Sequence, residues 1–235
     1  MTELADKMNV VVLAANPRPD GNSRALARAR MDGAESAEHV TRLVDLNEPL
    51  TGFLRDCRSC RRPDGECSIQ DGYRDLLMEH VLAADALVYA TPLYWYGMAA
   101  VLKNYFDRMV CYLSGSFPSS RQVMERMIGK RVALLISSEE RYPGAALGLI
   151  AQVQEMSRYL HQPLTGVGNK RGEVLSDPAD PLKAAHQPGA QLSSLHPARA
   201  PHRRNYSSGP FTHTRLREWT TAVVRCRPWR GPRGC

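Results

Sequence analysis

The sequence predicts an α/β protein built on a doubly wound parallel sheet of five strands. Three observations lead to this prediction. Residues 9–15 form a continuous apolar run rich in valine, as expected of a strand buried on both faces. Four further strand-like segments follow along the chain, and segments with helical character separate them. Strands that alternate with helices favour parallel pairing, with helices on both faces of the sheet.

The elements are predicted in chain order from their local patterns. Residues 22–38 are rich in helix formers and follow the first strand, and the alternation over 39–46 indicates the second strand. An irregular stretch over 47–72 precedes apolar residues at helical spacing. The later elements are a helix over 73–84, a strand over 85–92, a helix over 98–113, a strand over 131–137, a helix over 144–160 and a strand over 162–170.

The net charge of +7 is concentrated at one end of the chain. Residues 178–235 hold ten Lys and Arg and two acidic residues, whereas residues 1–177 hold 21 Lys and Arg and 22 acidic residues. The same tail holds eight of the sixteen prolines and shows little periodicity. We therefore predict one folded domain over 1–177 and a basic, mostly disordered tail over 178–235. A nearly neutral body does not favour a nucleic-acid partner.

The remaining composition is that of an ordinary globular protein, with 43% hydrophobic and 23% charged residues. No apolar run approaches the roughly 18 residues of a membrane span. The first ten residues lack the apolar core of a signal peptide, so we expect a cytoplasmic protein without a membrane partner.

The loop after the first strand, "NPRPDGNS", leads directly into a predicted helix. In doubly wound sheets, ligands bind beyond the carboxyl ends of the strands, and a helix that begins there presents free backbone N–H groups. Gly21 removes side-chain bulk, Asn22 and Ser23 can cap the helix or donate to an anion, and Arg18 adds a positive charge. The alternative that this stretch is only a turn and a helix cap stays open.

The loop after the third strand, "TPLYWYG", places three aromatic residues in sequence at the end of a buried strand. Exposing three aromatic rings is costly unless a flat partner covers them. An isoalloxazine ring is such a partner. The alternative is that the aromatic residues cap the sheet or form a subunit interface.

The segments "NPRPDGNSRAL" and "ADALVYATPLYWYGMAAVLKNYFDRM", followed by a small polar loop after the fourth strand, resemble the flavodoxin-like NAD(P)H-dependent FMN reductases. That family also contains quinone, chromate and azo-compound reductases. The resemblance covers about residues 8–177. It implies a flavodoxin-like sheet of order 2-1-3-4-5, bound FMN, NADH or NADPH as co-substrate, and a homodimer.

The resemblance also implies roles for individual residues. The FMN phosphate would be held by the first loop, through Asn16, Arg18, Gly21, Asn22 and Ser23, where Asn16 stands in place of the usual serine. The flavin ring and ribityl chain would be lined by Pro92, Leu93, Tyr94, Trp95, Tyr96 and Gly97. Tyr94, Trp95 and Tyr96 would also shape the pocket of a small-molecule acceptor. The third flavin loop would be Ser137, Ser138 and Glu139, which replace a glycine-rich family pattern.

Three cysteines, Cys57, Cys60 and Cys67, form a C-x2-C-x6-C cluster in the irregular stretch. A structural zinc or iron–sulfur site takes four thiolates, and only three are present here. Relatives with such a segment often carry four cysteines, some of them as iron–sulfur flavoproteins, and the fourth would fall near Pro63. We therefore predict no metal site and interpret the cluster as reduced thiols beside the substrate entrance.

The expected function is an FMN-dependent oxidoreductase that passes hydride from NAD(P)H through FMN to a quinone-like, flavin or other small acceptor. No catalytic side chain is predicted, because the flavin supplies the chemistry. Lys103 and Asp107 are four residues apart and can pair on one helix face, and with Arg108 they are interpreted as structural or interfacial rather than catalytic. Two alternatives remain open: a flavin-binding redox carrier or sensor, and an enzyme dedicated to one biosynthetic intermediate.

Overall fold

The computed structural model describes residues 7–55, 57–59, 65–114, 116–140, 142 and 144–171. Five strands pair in parallel in the order β2-β1-β3-β5-β6, and the short β4 pairs antiparallel with the end of β3. Apart from β4 this is the predicted strand order, so the predicted fold class is confirmed. The predicted boundary at residue 178 lies outside the described residues and stays a prediction. The strands are β1 Asn9–Ala14, β2 Val40–Asp45, β3 Ala86–Tyr94, β4 Gly97–Met98, β5 Arg131–Ser138 and β6 Leu164–Arg171.

The valine-rich run is continuous because both faces of β1 are covered. Successive side chains of a strand point to opposite faces of the sheet. Val10 and Val12 pack with Leu26 of the helix that follows β1 on one face, whereas Val11 and Leu13 belong to the larger core on the other face. Each fully buried side chain of this size contributes about 1.5–3 kcal/mol relative to an exposed one.

The structure has a helical segment in each predicted helical region, but most of the observed helices are shorter than predicted. The predicted helix over 73–84 begins as α2 and continues as a π-helical segment over Leu76–Val81. The predicted helix over 98–113 is divided at Met109, and α5 was not predicted at all. Only two buried apolar residues, Val123 and Met127, mark α5 in the sequence. The helices are α1 Asn22–Glu35, α2 Tyr73–Asp75, α3 Ala100–Arg108, α4 Val110–Leu113, α5 Ser120–Met127 and α6 Leu147–Tyr159.

A buried ion pair holds the irregular stretch after β2 against α3. The Arg108 guanidinium donates two hydrogen bonds to the Asp71 carboxylate, at 2.6 and 2.7 Å, and a third to the carbonyl oxygen of Gly52 at 3.0 Å. Both charged side chains are almost fully buried, and the guanidinium lies 4.5 Å from the centre of the Tyr73 ring. Arg108 therefore has a structural role, because it fixes the irregular stretch to α3. Lys103 pairs with Asp107, as the four-residue spacing predicted.

Candidate functional site

Three loops meet at the carboxyl edge of the sheet, after β1, β3 and β5. They surround one cavity of about 1130 Å³. Because β3 lies between β1 and β5, the second loop forms the middle of the cavity and the other two form its sides. The lining residues are Asn16, Pro17, Arg18, Gly21, Asn22, Ser23, Pro92, Leu93, Tyr94, Trp95, Tyr96, Ser137, Ser138, Glu139 and Glu140.

The first loop ends in a helix N-terminus that no side chain caps. Gly21 is the N-cap residue of α1, and it can offer no side-chain acceptor to the first turn. The backbone N–H groups of Asn22 and Ser23 have no acceptor among the described residues. These groups lie at the positive end of the helix dipole and line the cavity, so they are available to an anion.

Gly21 is surrounded closely by the rest of the first loop. A Cβ atom at this position would lie 3.3 Å from the carbonyl oxygen of Arg18 and 3.5 Å from Nδ2 of Asn16. The φ angle of Gly21 is −71°, which any residue can adopt. Space beside the helix N-terminus, rather than an unusual backbone conformation, is therefore what glycine provides here.

Asn16 is buried in the floor of the first loop. The side-chain Nδ2 group of Asn16 donates to the backbone carbonyl oxygen of Arg18. The backbone carbonyl oxygen of Asn16 accepts from Nδ2 of Asn47 at 3.0 Å. The side-chain Oδ1 atom is buried and has no hydrogen-bond partner among the described residues. Asn16 thus shapes the loop and leaves one polar atom to be satisfied by a ligand.

Two arginines of the first loop and α1 have different surroundings. Arg24 pairs with Asp45 at the end of β2, so its charge is already compensated. Arg18 is exposed, lines the cavity and forms no ion pair with any described residue. Among the described residues that line this side of the cavity, Arg18 is therefore the cation that remains available.

The second loop is a tight hairpin turn between β3 and β4. Tyr94 pairs with Gly97, which leaves Trp95 and Tyr96 as the two turn residues. Both have positive φ angles, 48° and 62°, as in the primed turns of two-residue hairpins, where glycine and asparagine are usual. Bulky residues rarely adopt this conformation, and strain of this kind concentrates at functional sites.

The turn conformation exposes the aromatic side chains instead of packing them on the sheet. Trp95 is 97% exposed, and Tyr94 and Tyr96 are about half exposed. The buried Thr91 hydroxyl accepts from the N–H of Ala99 at 3.0 Å and thereby ties the base of the hairpin together. Three aromatic rings consequently stand at the rim of the cavity on a firmly held turn.

The third loop is linked directly to the first. The hydroxyls of Ser137 and Ser23 form a buried hydrogen bond of 2.6 Å across the end of β3. Ser138 donates to the backbone carbonyl oxygen of Glu140 at 3.2 Å, which folds the loop back on itself. One carboxylate oxygen of Glu140 is buried and has no hydrogen-bond partner among the described residues.

Tyr142 extends the aromatic rim. Its ring centre lies 6.5 Å from that of Tyr96. Loss of hydration, a hydrogen bond with Tyr96 and the negative charge of Glu140 raise the pKa of the Tyr142 phenol. The hydroxyl therefore stays protonated and able to donate at neutral pH.

The predicted cysteine cluster is only partly described. Cys57 is exposed, and its thiol lies 3.0 Å from the hydroxyl of Ser68, whereas Cys67 is buried. Hydrogen bonds from Ser59 and Ser68 lower the pKa of the Cys57 thiol to about 7. Among the described residues no three His, Cys, Asp or Glu side chains are placed to hold a metal ion. Cys60 lies outside them, so the interpretation of this cluster stays a prediction.

The structure brings thirteen of the fourteen predicted cofactor residues to one cavity. The exception is Gly97, which forms the β4 side of the hairpin and does not line the cavity. Pro17 and Glu140 line the cavity but were not predicted. Both lie inside the three loops, so position after a strand is the signal that could have found them.

Comparisons with curated proteins find relatives that are named as flavoproteins. An NAD(P)H-dependent FMN-containing oxidoreductase of Bacillus subtilis is 29% identical over 175 residues, which cover 72% of this chain and 91% of the relative. An iron–sulfur flavoprotein of Methanocaldococcus jannaschii is 28% identical over 101 residues, 43% of this chain and 51% of that one.

Solved structures show the same fold. The NAD(P)H:quinone oxidoreductase of Methanothermobacter marburgensis has a TM-score of 0.60 at 22% identity, covering 80% of this chain and 96% of its own. An FMN-dependent NADH-azoreductase of Bacillus anthracis, solved with FMN, has a TM-score of 0.56 at 12% identity, and the match covers 79% of this chain and 98% of the azoreductase. The family model described as "Flavodoxin-like fold" matches residues 8–187. With its strand order and with most of its length matched, the chain belongs to this flavodoxin-like family.

Proposed function

We propose that the protein is an FMN-dependent oxidoreductase that takes electrons from NADH or NADPH and passes them to a small acceptor of quinone-like chemistry. The observation that carries the proposal is a single cavity in which an uncapped helix N-terminus and a cation lie on one side and exposed aromatic rings stand at the rim. The oxidoreductase names of several relatives support it.

The first loop fits the phosphate end of FMN. The N–H groups of Asn22 and Ser23 and the charge of Arg18 suit a dianionic group, and Gly21 leaves the space that it needs. The unpartnered Oδ1 atom of Asn16 can accept a hydrogen bond from a ribityl hydroxyl. The Ser23 hydroxyl is engaged with Ser137, so we assign its backbone N–H rather than its side chain to the phosphate.

The second loop fits the ring end. Trp95, at 97% exposure, has almost no contact with the rest of the protein, and Tyr94 and Tyr96 have about half of their surfaces free. A bound tricyclic ring would cover much of this apolar surface and remove it from water.

Bound FMN supplies the hydride-transfer chemistry, since the flavin accepts and releases electron pairs. The protein's part is to bind, orient and shield. The first loop holds the anionic end, and the aromatic rim excludes water from the ring and offers a flat surface to the acceptor. The Tyr142 hydroxyl, protonated at neutral pH, stands beside the rim as a hydrogen-bond donor.

We also propose that the protein forms a homodimer. Phe53 and Leu54 are 58% and 40% exposed, although their backbone is held against α3 by the hydrogen bond from Leu54 N–H to Asn104. Adjacent exposed apolar side chains on a fixed backbone favour an interface. Light scattering of the full chain tests this, and Phe53→Asp should shift a dimer towards the monomer.

The test of the proposed function uses the purified full chain. We expect FMN to bind with a visible flavin spectrum and to support NAD(P)H oxidation with a quinone. Arg18→Ala should weaken FMN binding about tenfold, because a charge-assisted contact to phosphate is lost, but should hardly change riboflavin binding. Arg28→Ala, at an exposed arginine of α1 outside the cavity, is the matched control.

Two results would contradict the proposal. A protein that gains neither colour nor thermal protection from excess FMN does not bind the cofactor. A protein that binds FMN but oxidises neither NADH nor NADPH with any quinone is a carrier or sensor instead, which the similarity to iron–sulfur flavoproteins keeps as the second candidate. Broad absorbance beyond the flavin bands would favour that candidate.

A further inference from the structure

The Thr91 hydroxyl lies at the base of the hairpin that carries the exposed aromatic residues. Thr91 is a fully buried residue of β3. Its hydroxyl donates to the backbone carbonyl oxygen of Pro92 at 2.9 Å and accepts from the backbone N–H of Ala99 at 3.0 Å. Pro92 is the last residue of β3 that pairs with β5, and Ala99 directly follows β4. One side chain therefore joins the two ends of the hairpin.

The hairpin beyond this point is short, and its turn is strained. Two residue pairs connect β3 to β4, and a two-stranded hairpin is at best marginally stable by itself. The positive φ angles of Trp95 and Tyr96 oppose the turn, and both side chains are exposed. Support comes from the base of the hairpin, where Leu93 and Met98 pack in the core and Thr91 supplies hydrogen bonds.

The hydrogen bond to Ala99 connects the central strand of the sheet to α3. Ala99 is the N-cap residue of α3, and its carbonyl oxygen accepts from the N–H groups of Leu102 and Lys103 at 3.0 and 3.1 Å. Because Thr91 is fully buried, water does not readily replace its hydroxyl, and without it the Ala99 N–H would lose its acceptor. The hydroxyl thus fixes the return of the hairpin against both the sheet and α3.

We propose that Thr91 is a positioning residue for cofactor binding, whose hydroxyl holds Trp95 and the tyrosines beside it in the conformation that receives the flavin ring. Thr91 does not line the cavity, so it acts through the hairpin and not by contact with the ligand. This inference depends on the proposed function, which places the ring at these aromatic residues. Without the hydroxyl the hairpin populates other turn conformations, and the affinity falls with the fraction of molecules that keep the competent one.

The experiment measures the affinity of the full-length protein for FMN and for riboflavin by flavin fluorescence. Thr91→Val keeps the branched shape but removes the hydroxyl, and it should weaken the binding of both flavins about fivefold, because they share the ring. Thr91→Ser keeps a hydroxyl and should bind both within about twofold of the wild type. Thr165→Val is the matched control, since it removes a hydroxyl that donates to the carbonyl oxygen of Val132 at 3.0 Å, outside the cavity.

A double-mutant cycle with Trp95→Ala separates positioning from general destabilisation. If Thr91 acts through the aromatic hairpin, Thr91→Val should weaken FMN binding only about twofold or less in a protein that already carries Trp95→Ala. A merely structural effect would lower the affinity by the same factor in both backgrounds.

The outcomes separate this inference from the proposed function. A wild-type protein that does not bind FMN would overturn both. Bound FMN with unchanged affinity in Thr91→Val, or an equal loss in Thr165→Val, would overturn the inference alone. No recovery in Thr91→Ser, or an equal loss in the Trp95→Ala background, would overturn it as well. If Thr91→Val does not fold, Thr91→Ala must show the same loss relative to Thr91→Ser.

Discussion

Trp95 should be a residue that costs stability and supports binding. Its φ of +48° is in the left-handed region, where a residue with a Cβ atom pays about 1–2 kcal/mol, and its side chain is 97% exposed, so almost no packing offsets the cost. Asparagine adopts this conformation readily. We expect Trp95→Asn to raise the free energy of unfolding by about 1 kcal/mol, or the melting temperature by about 2–4 °C.

Trp95→Ala is the matched control. Alanine keeps the Cβ atom that causes the strain but removes the ring, so its stability should stay close to that of the wild type. Unfolding is followed in urea on protein freed of FMN, because bound cofactor would itself stabilise the folded state. FMN affinity, measured by flavin fluorescence, should fall about fivefold to tenfold in both variants, since either change removes the same aromatic surface.

The comparison between the two variants decides the matter. If Trp95→Asn is no more stable than Trp95→Ala, the turn stores no strain at this residue. If neither variant loses FMN affinity, Trp95 does not cover the flavin ring. Either result would refute the reasoning that a strained turn is maintained here for the sake of a ligand.

Three further predictions concern the buried ion pair of Arg108 and Asp71, the first loop and the exposed thiol of Cys57. Arg108→Ala should lower the free energy of unfolding by about 3–5 kcal/mol at pH 7, because it leaves the Asp71 carboxylate buried without its cation. Burial raises the pKa of Asp71, but hydrogen bonds from Arg108 and from backbone N–H groups outweigh it and lower that pKa. The ion pair therefore stabilises the fold fully above about pH 4, and this stabilisation is lost as the pH falls below that value. The loss of unfolding free energy in Arg108→Ala, measured in urea, should shrink at low pH, and a loss independent of pH would contradict this assignment. Gly21→Val should weaken FMN binding about tenfold and riboflavin binding less, by calorimetry, because the side chain fills the space beside the helix N-terminus. Alkylation of Cys57, followed by mass spectrometry of its peptide, should be half-maximal near pH 7 and should move to higher pH in Ser68→Ala, and an unchanged profile would show that Ser68 does not stabilise the thiolate.

The parallel sheet and the location of the cavity could be predicted because they depend on periodicity and topology, whereas the strand order came from the family resemblance. The short, valine-rich run of β1 favours a strand covered on both faces, and once five parallel strands alternate with helices the loops after β1, β3 and β5 share one edge. The pairing of Lys103 with Asp107 followed from spacing along one helix.

The remaining features depend on contacts between distant segments. The buried ion pair between Arg108 and Asp71 joins residues 37 positions apart, and no local sequence pattern marks such a pair. The turn at Trp95 and Tyr96 contradicts turn propensity, since glycine and asparagine are the residues expected at positive φ. The family resemblance assigned Gly97 to the flavin site, whereas the structure places it in β4 and outside the cavity lining. Glu140 was missed although it follows β5 at the same sheet edge, because the prediction stopped at Glu139.

The hydrogen bond between Ser23 and Ser137 joins the two outer walls of the cavity. The protein's own side chains thus fix the gap between those walls, and a ligand of matching span loses little of its binding energy to ordering the protein. Such a cleft selects ligands by length as well as by charge, so phosphate esters of the same ring with a shorter or longer linking chain should bind more weakly.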